Sequence, residues 1–515
     1  MKGEIKLSDL AEKEGKMVEL KPEKLMKLPE PYESLEKFSE PLGGFSELDG
    51  FVAIDLDWKP KSEEEEKELL AKFIRGLKRL MDKEANWTFL YPLIISLDYC
   101  TRCKSCSSAC HVYLASGREE IYRPTFRSEV FRRLLNSLHG KLKAKFFGSM
   151  KLNAKVLLRL AELAYRCNLC RRCTQFCPIG IDNALITREI RKLFAQELGV
   201  APKALHNQGT LKHLKKGSST GLTPEGFRSI VKFIEEEIEE KIGKKLRLPV
   251  DQKGSEILLI HNAGDYLSRV ENVIAYALIF EEAGLDWTLS SEPFGYDVVN
   301  YGVWYDDVQL ARIAFKHLEI ARKLEVEKIV IGECGHAHKA LLALADRLLL
   351  EECRIPRESG ITLLWELVRK KLNLDPSKND FPVTLHDPCN IVRNLGIVEP
   401  QRKILKKICP NFREMEPNGF YNYCCGGGGG LAIMNSLNFS EFRNKISARM
   451  KFSQILNVFH GFSSKKIVCA PCSNCRNTLR DLFEHYRAIN MNYCTLSELI
   501  ANAMVDYEFW KFLEQ

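Results

Sequence analysis

Eighteen cysteines are the residues of this 515-residue chain whose types and spacing could do chemistry. Cys100, Cys103, Cys106 and Cys110 follow the spacing C-x2-C-x2-C-x3-C, and Cys167, Cys170, Cys173 and Cys177 repeat it with Pro178 behind. Two intervening residues let three thiolates curl around one iron–sulfur cube, and the fourth cysteine reaches across to a neighbouring cube. The expectation is two cubane [4Fe-4S] clusters, one on Cys100, Cys103, Cys106 and Cys177, the other on Cys167, Cys170, Cys173 and Cys110. Zinc sites pair C-x-x-C units across a longer loop instead of placing three cysteines in tandem. Disulfide frameworks belong to small secreted domains, and nothing here marks secretion.

A second constellation comprises Cys389, the adjacent pair Cys424-Cys425 followed by Gly426 to Gly430, and Cys469, Cys472 and Cys475. Adjacent cysteines fit two neighbouring irons of an opened, non-cubane [4Fe-4S] cluster better than one iron. The glycines let backbone N–H groups approach a thiolate or sulfide with no Cβ in the way. No Gly-Lys-Ser or Gly-Lys-Thr follows, which argues against a phosphate loop. His336, His338 and His386 flank these motifs and read either as proton donors to a leaving thiolate or as hydrogen-bonded structural groups. Arg393 and Lys339 could anchor an acidic substrate tail. Cys353, Cys409 and Cys494 are isolated and read as small buried hydrophobes.

The elements that must position these groups fall into four stretches. Residues 1–62, rich in Lys, Glu and Pro, read as an extended arm. Residues 63–210 read as an α-helical ferredoxin domain: Ser62 caps a helix opened by Glu63 to Glu66 and running to about Lys83, and residues 128–138 and 154–165 are helical with no strand pattern between the motifs. From 255 onward short apolar runs at 257–260, 328–331, 383–385 and 466–468 alternate with helical stretches, an α/β texture. Residues 255–375 and 376–515 read as a duplicated α/β unit. Leu258 to Gly264 parallels Val383 to Cys389, and the run into Glu333-Cys334-Gly335-His336-Ala337 parallels the run into Pro471-Cys472-Ser473-Asn474-Cys475. The first copy has Gly264, Pro293-Phe294 and Ala337 where a full set would have cysteines and keeps Cys334, so one non-cubane cluster is expected.

The net charge of +8 equals the excess of 12 Lys or Arg over 4 Glu between residues 111 and 166. That basic stretch reads as a solvated helix face that also offsets thiolate charge. No nucleic-acid-binding signature accompanies it, so no nucleic-acid partner is expected. The longest apolar run, residues 89–97, contains Pro92 and falls far short of the roughly 20 residues a membrane span needs.

Cys389, Cys424-Cys425-Gly426 and Cys472-x-x-Cys475 resemble the cysteine-rich CCG domain of heterodisulfide reductases. Joined to a two-cluster helical ferredoxin domain, they resemble the D-type polypeptide of those enzymes, and most of all its DsrK-type relatives in the membrane-bound DsrMKJOP complex of sulfur metabolism. That resemblance implies reduction of a disulfide or trisulfide at Cys389, Cys424, Cys425, Cys472 and Cys475, with the trisulfide of the small carrier protein DsrC as substrate. It also implies electrons from a quinol pool through a haem-b membrane protein (DsrM-like), other Dsr proteins as partners, and a cytoplasmic chain peripheral on the inner face of the membrane. Two rival readings are an iron–sulfur subunit of a glycolate, lactate or glycerol-3-phosphate oxidoreductase, and a pure electron relay.

Overall fold

The computed structural model describes residues 5–29, 32, 44–54, 60–86, 88–138, 145, 148–434, 439–488 and 490–509. Residues 1–4, 30–31, 33–43 and 55–59 of the expected arm lie outside them, as do 87, 139–144 and 146–147 of the ferredoxin domain and 435–438, 489 and 510–515 of the last stretch. The chain forms two compact units. One comprises Met1–His206, Trp304–Asp307 and Tyr423–Ser453; the other comprises Asn207–Val303, Val308–Asn422 and Gln454–Gln515. The Cys424-Cys425 pair and its glycines therefore group with the ferredoxin stretch and not with the rest of residues 376–515.

The first unit is helical, without a strand among its described residues. Its first long helix, Glu63–Leu80, is capped by the Ser62 hydroxyl, which accepts from the Glu65 amide at 3.2 Å. Four glutamates sit against the positive end of its dipole, and Leu69, Phe73, Leu77 and Leu80 form its buried stripe. It packs on the helix Asn183–Leu198, which starts where Asp182 accepts from the amides of Ala184 and Leu185 and stops at Gly199. Helices Pro124–Leu138 and Ala154–Ala164 complete the scaffold. Described parts of the arm are tied down on it, since Arg159 donates to the carbonyls of Asp9, Leu10 and Gly15 and Leu10, Leu25 and Leu48 are buried.

The second unit holds eight strands: β1 (Ile257–Ile260), β2 (Trp287–Thr288), β3 (Lys328–Ile331), β4 (Arg357–Ser359), β5 (Val383–Leu385), β6 (Phe412–Arg413), β7 (Lys466–Cys469) and β8 (Met491–Cys494). They form two four-stranded parallel sheets with the same order, β2-β1-β3-β4 and β6-β5-β7-β8. Strands β1, β5 and β7 are buried along their whole length, as the central strands of parallel sheets covered on both faces are. Helix packing between the halves is reciprocal. Val270–Glu282, early in the first half, meets Leu496–Ala503, the last helix of the second, while Gly360–Lys370, the last helix of the first half, meets Glu399–Ile408, early in the second. One apolar core runs through both halves and contains Ile274, Leu278, Leu364, Leu405, Leu499 and Ile500, each buried side chain contributing about 2 kcal/mol.

Candidate metal centres

The two tandem motifs share one backbone. Arg102 and Lys104 have φ of 58° and 64°, and their counterparts Leu169 and Arg171 have 51° and 60°. A side chain in this left-handed region costs about 1–2 kcal/mol, and four non-glycine residues accept it. Such left-handed residues aim successive amides at one point, the geometry of an anion nest, and the Leu169 amide donates to the Cys167 sulfur at 3.4 Å. The helices Ser105–Ala109 and Arg172–Gln175 then present Cys106 and Cys173 from their first turns.

The electrostatics sort the eight thiols into two sets. Burial pushes Cys106 up to about 11, with further pushes from Cys100, Cys177 and Cys103. Burial pushes Cys110 up to about 12, and among the cysteines its repelling neighbours are Cys167 and Cys170. Cys173 is raised by burial and then by Cys170, Cys167 and, more weakly, Cys110. One cavity is lined by Cys110, Cys167, Cys170 and Cys173. Buried thiols that would repel each other once ionised need a cation among them, and iron–sulfur clusters fit that donor set.

Around the second motif the first unit carries a polar joint that sequence reasoning missed. Asn168 bridges four partners, one of them the Gly428 carbonyl, to which its Nδ2 donates at 3.4 Å. Its Oδ1 lies 2.8 Å from His111 Nε2 and accepts from the Ser447 hydroxyl at 2.7 Å, while its Nδ2 donates to the Gly426 carbonyl at 2.7 Å. His111 Nδ1 stands 3.9 Å from the Cys170 sulfur. Arg191 donates to the carbonyls of Gly429 (2.6 Å), Ala164 (3.0 Å) and Cys167 (2.7 Å). A Cβ on Gly428 would meet the Asn168 carbonyl oxygen at 2.6 Å, and one on Gly429, whose φ is +65°, the Cys167 carbonyl oxygen at 2.8 Å. The glycine run is thus laid directly on the Cys167-Asn168 backbone, an approach only glycine permits. Arg172 lies 4.8 Å from the Phe176 ring and 4.2 Å from the Tyr423 ring and donates to the Ala109 carbonyl. Within the run itself, the amides of Gly426 and Gly427 donate to the sulfurs of Cys424 and Cys425 at 3.4 Å each, which favours their thiolate forms. One signal in the sequence marks this joint: His111 directly follows Cys110, and Asn168 sits inside the Cys167–Cys170 chelate.

The second unit holds the other late cysteines. Cys389 opens the helix Cys389–Leu395, and the turn before it is fixed by Asp387, gripped by both Arg402 nitrogens at 2.7 and 2.6 Å and by the Gly419 amide at 2.7 Å. Cys472 precedes the helix Ser473–His485 and Cys475 lies in its first turn. The Gly335 amide donates to Cys472 at 3.2 Å, and a Cβ on Gly335 would meet that sulfur at 3.0 Å and Pro388 at 3.5 Å, so three loops converge there. Glu333 accepts from the amides of Leu496 and Ser497, and Arg476 donates to Asp265 at 2.6 Å, fixing the two cysteine turns across the halves. Cys334 lies 3.5 Å from His336 Nδ1, and its thiol is raised by burial and then by Cys472.

His336 is pushed down to about 4 by burial, which favours the neutral ring near pH 7. His338 is hydrogen-bonded at both nitrogens, to the Cys334 carbonyl and the Ser359 hydroxyl, a structural role. His386 is fully buried on the turn after β5. Arg393 gives its guanidinium to the carbonyls of Phe420 and Asn422, so the expected anchor for an acidic tail is already engaged, and Lys339 is buried. Cys469 pairs in register with Cys494 and, with Cys409, belongs to the apolar core, whereas Cys353 is half-buried.

Comparisons with known proteins agree with this chemistry. A 4Fe-4S dicluster domain matches residues 96–181 and the cysteine-rich CCG domain matches residues 383–480. An Hdr-like menaquinol oxidoreductase iron-sulfur subunit 2 from Archaeoglobus fulgidus is 26% identical over 84% of this chain and 83% of its own length. Its counterpart from Archaeoglobus profundus is 27% identical over 74% of each. The D-type polypeptide of the dihydromethanophenazine:CoB–CoM heterodisulfide reductase of Methanosarcina acetivorans is 26% identical over 75% of this chain and 89% of that protein. No helix among the described residues is long and apolar enough to cross a membrane. The chain is thus similar to iron–sulfur subunits of Hdr-like menaquinol oxidoreductases and to the D-type polypeptide of heterodisulfide reductases, and it matches a 4Fe-4S dicluster domain and a CCG domain.

Proposed function

We propose that the chain is the DsrK-like catalytic iron–sulfur component of a quinone-linked membrane complex and that it reduces a sulfur–sulfur bond. Cys100, Cys103, Cys106 and Cys177 hold one cubane, Cys167, Cys170, Cys173 and Cys110 the other, and Cys389, Cys424, Cys425, Cys472 and Cys475 a non-cubane cluster. Bound there, such a cluster would supply a centre at which one-electron carriers can complete a two-electron cleavage. The chain's own residues do the rest. Gly426 and Gly427 hold the Cys424 and Cys425 sulfurs by N–H donation, Gly335 does the same for Cys472, and the buried turns keep water out. His386 and His336 flank the sulfur substrate, His336 as a neutral hydrogen-bonding ring. The substrate is a disulfide or, in a sulfur-metabolising cell, the trisulfide of DsrC. A haem-b membrane protein supplies electrons and holds the chain on the inner face of the cytoplasmic membrane. The two like-ordered sheets with reciprocal helix packing support a duplicated ancestor whose first copy kept Cys334 and lost the rest.

The observation that supports this reading is the seating of the glycine run on the Cys167-Asn168 backbone, next to the tandem motif proposed to hold the second cubane. Cys425→Ala tests it. The variant is expected to keep both cubanes reducible by dithionite while losing single-turnover reduction of a glutathione disulfide or trisulfide. Cleavage at the parental rate would place the chemistry elsewhere.

A further inference from the structure

Helix Leu90–Asp98 runs straight into the first cysteine motif and is apolar on both sides. Leu90, Leu93 and Leu97 are buried, as the apolar residues of such a helix should be. Tyr91 and Ile95, one turn apart, and Tyr99 a turn further on instead expose 59%, 53% and 68% of their surface. Ile179, two residues after Cys177, is 51% exposed, and its loop is tied to the same helix where the Asp182 amide donates to the Ser96 hydroxyl at 3.2 Å. A row of large apolar side chains facing water marks a surface made to be covered.

What covers it follows from what it surrounds. Cys103 is the exposed member of the eight tandem cysteines, with the Ser105 hydroxyl 3.3 Å from its sulfur. Arg102, paired with Glu129 at 3.3 Å, and Lys104 lie exposed on either side of it, with Asp98 exposed ahead of them, so the basic edge of the patch rests on Lys104. We propose that Tyr91, Ile95, Tyr99 and Ile179 form the docking face for the protein that reduces this chain, a one-electron redox partner that presents an apolar surface with acidic side chains at its edge and its own cofactor close behind. In the step the partner is oxidised by one electron and the cluster behind Cys103 is reduced by one, with no bond made or broken. The inference rests on the electron-carrying reading above and adds where electrons enter. A lipid surface would cover the apolar row and meet the basic edge but would bring no electron to Cys103, which is why a redox protein is the occupant.

The test uses the cluster-loaded full chain with Tyr91→Ser, Ile95→Ser and Tyr99→Ser combined, and membranes of the source cells supplied with a quinol analogue as reductant. Reduction by membranes should slow at least about tenfold, the scale of losing a small apolar hot spot, while iron content, the cubane spectra and reduction by dithionite stay at parental values. Tyr99→Phe alone, which keeps the apolar ring, should be reduced by membranes at the parental rate. Should the triple variant fail to load iron, Lys104→Glu carries the test, with slower membrane reduction whose difference from the parent shrinks as salt is raised. Parental rates with membranes overturn the proposal. So does a parent chain that binds protein-free phosphatidylglycerol vesicles through the same three residues, which would make the cover a lipid surface. If dithionite finds fewer than two reducible cubanes in the parent chain, the electron-carrying reading itself fails, a result distinct from either.

Discussion

Arg102 and Lys104 in the first tandem motif and Leu169 and Arg171 in the second occupy the same left-handed backbone positions, yet the first motif leaves Cys103 in water while the second buries Asn168, Leu169 and Arg172. A shared backbone therefore carries two different surroundings. On the function proposed above, the polar, exposed motif is where another protein would reach a cluster, and the buried motif, hydrogen-bonded to the Gly426–Gly430 run, is where electrons would pass onward. The difference lies in the residues between the cysteines and not in their spacing.

The comparison breaks most completely at the crossed ligand. Cys110→Ser should abolish the signal of the Cys167, Cys170 and Cys173 centre and release about four irons, leaving the centre nearer to it in sequence intact; spectroscopy with iron analysis on the purified variant decides it. Loss of the Cys100 group's signal instead would contradict the crossing. Next comes the arginine ahead of the second motif. Arg166 and Asp49 form a fully buried pair at 2.7 Å, with the Tyr122 hydroxyl also on Asp49, so Arg166→Ala strands a buried charge and should cost about 3–5 kcal/mol in denaturant melts. Arg102 beside the first motif pairs with Glu129 at 3.3 Å while half exposed, and Arg102→Ala should cost under about 1 kcal/mol.

A smaller contrast separates Asn168 from Thr101, which holds the same place in the first motif. Asn168→Ala leaves the Gly426 carbonyl and His111 short of a partner and should cost about 1–3 kcal/mol, with a shifted potential for the second cubane. Thr101→Ala, on the surface, should change stability by less than about 0.5 kcal/mol. The smallest effect is one of pH. Burial lifts Glu162 to about 7 against the pull of Arg166, and the Ile54 amide and Asp49 are its other neighbours. The fold keeps a proton that the unfolded chain releases between pH 4.5 and 7, so this group lowers stability as pH rises through that window and has no further effect above it. Glu162→Gln should flatten the dependence of the denaturation midpoint over that range.

Much of this was legible in the residues. Tandem spacing pointed to the 4Fe-4S dicluster domain that matches residues 96–181, Ser62 with four glutamates marked the start of Glu63–Leu80, and apolar runs located β1, β3, β5 and β7. Strands β2 and β6, with two residues each, are too short for any period to register, and β4 is polar at Arg357 and Glu358. For the seating of the glycine run on the second motif the sequence offered only the placement of His111 and Asn168 beside motif cysteines, because the Asn168–Gly426 bond spans 258 residues and ends on a backbone carbonyl that any residue could offer. Arg393 looked available from its type and neighbours, and backbone carbonyls, invisible to side-chain patterning, claimed it. Sequence spacing reports the candidate metal ligands; burial and backbone partners arise only when distant segments meet.

The most direct measurement is the order in which the two cubanes give up electrons. The dithionite-reduced protein is mixed with trisulfide substrate and quenched by rapid freezing, and the paramagnetic signals of the two centres, told apart with Cys110→Ser, are followed in time. The Cys110, Cys167, Cys170 and Cys173 centre should be oxidised first and the Cys103 centre should follow, with Asn168→Ala slowing the first phase. Oxidation of the Cys103 centre first, or loss of both signals together at a rate indifferent to Asn168, would contradict the proposed route.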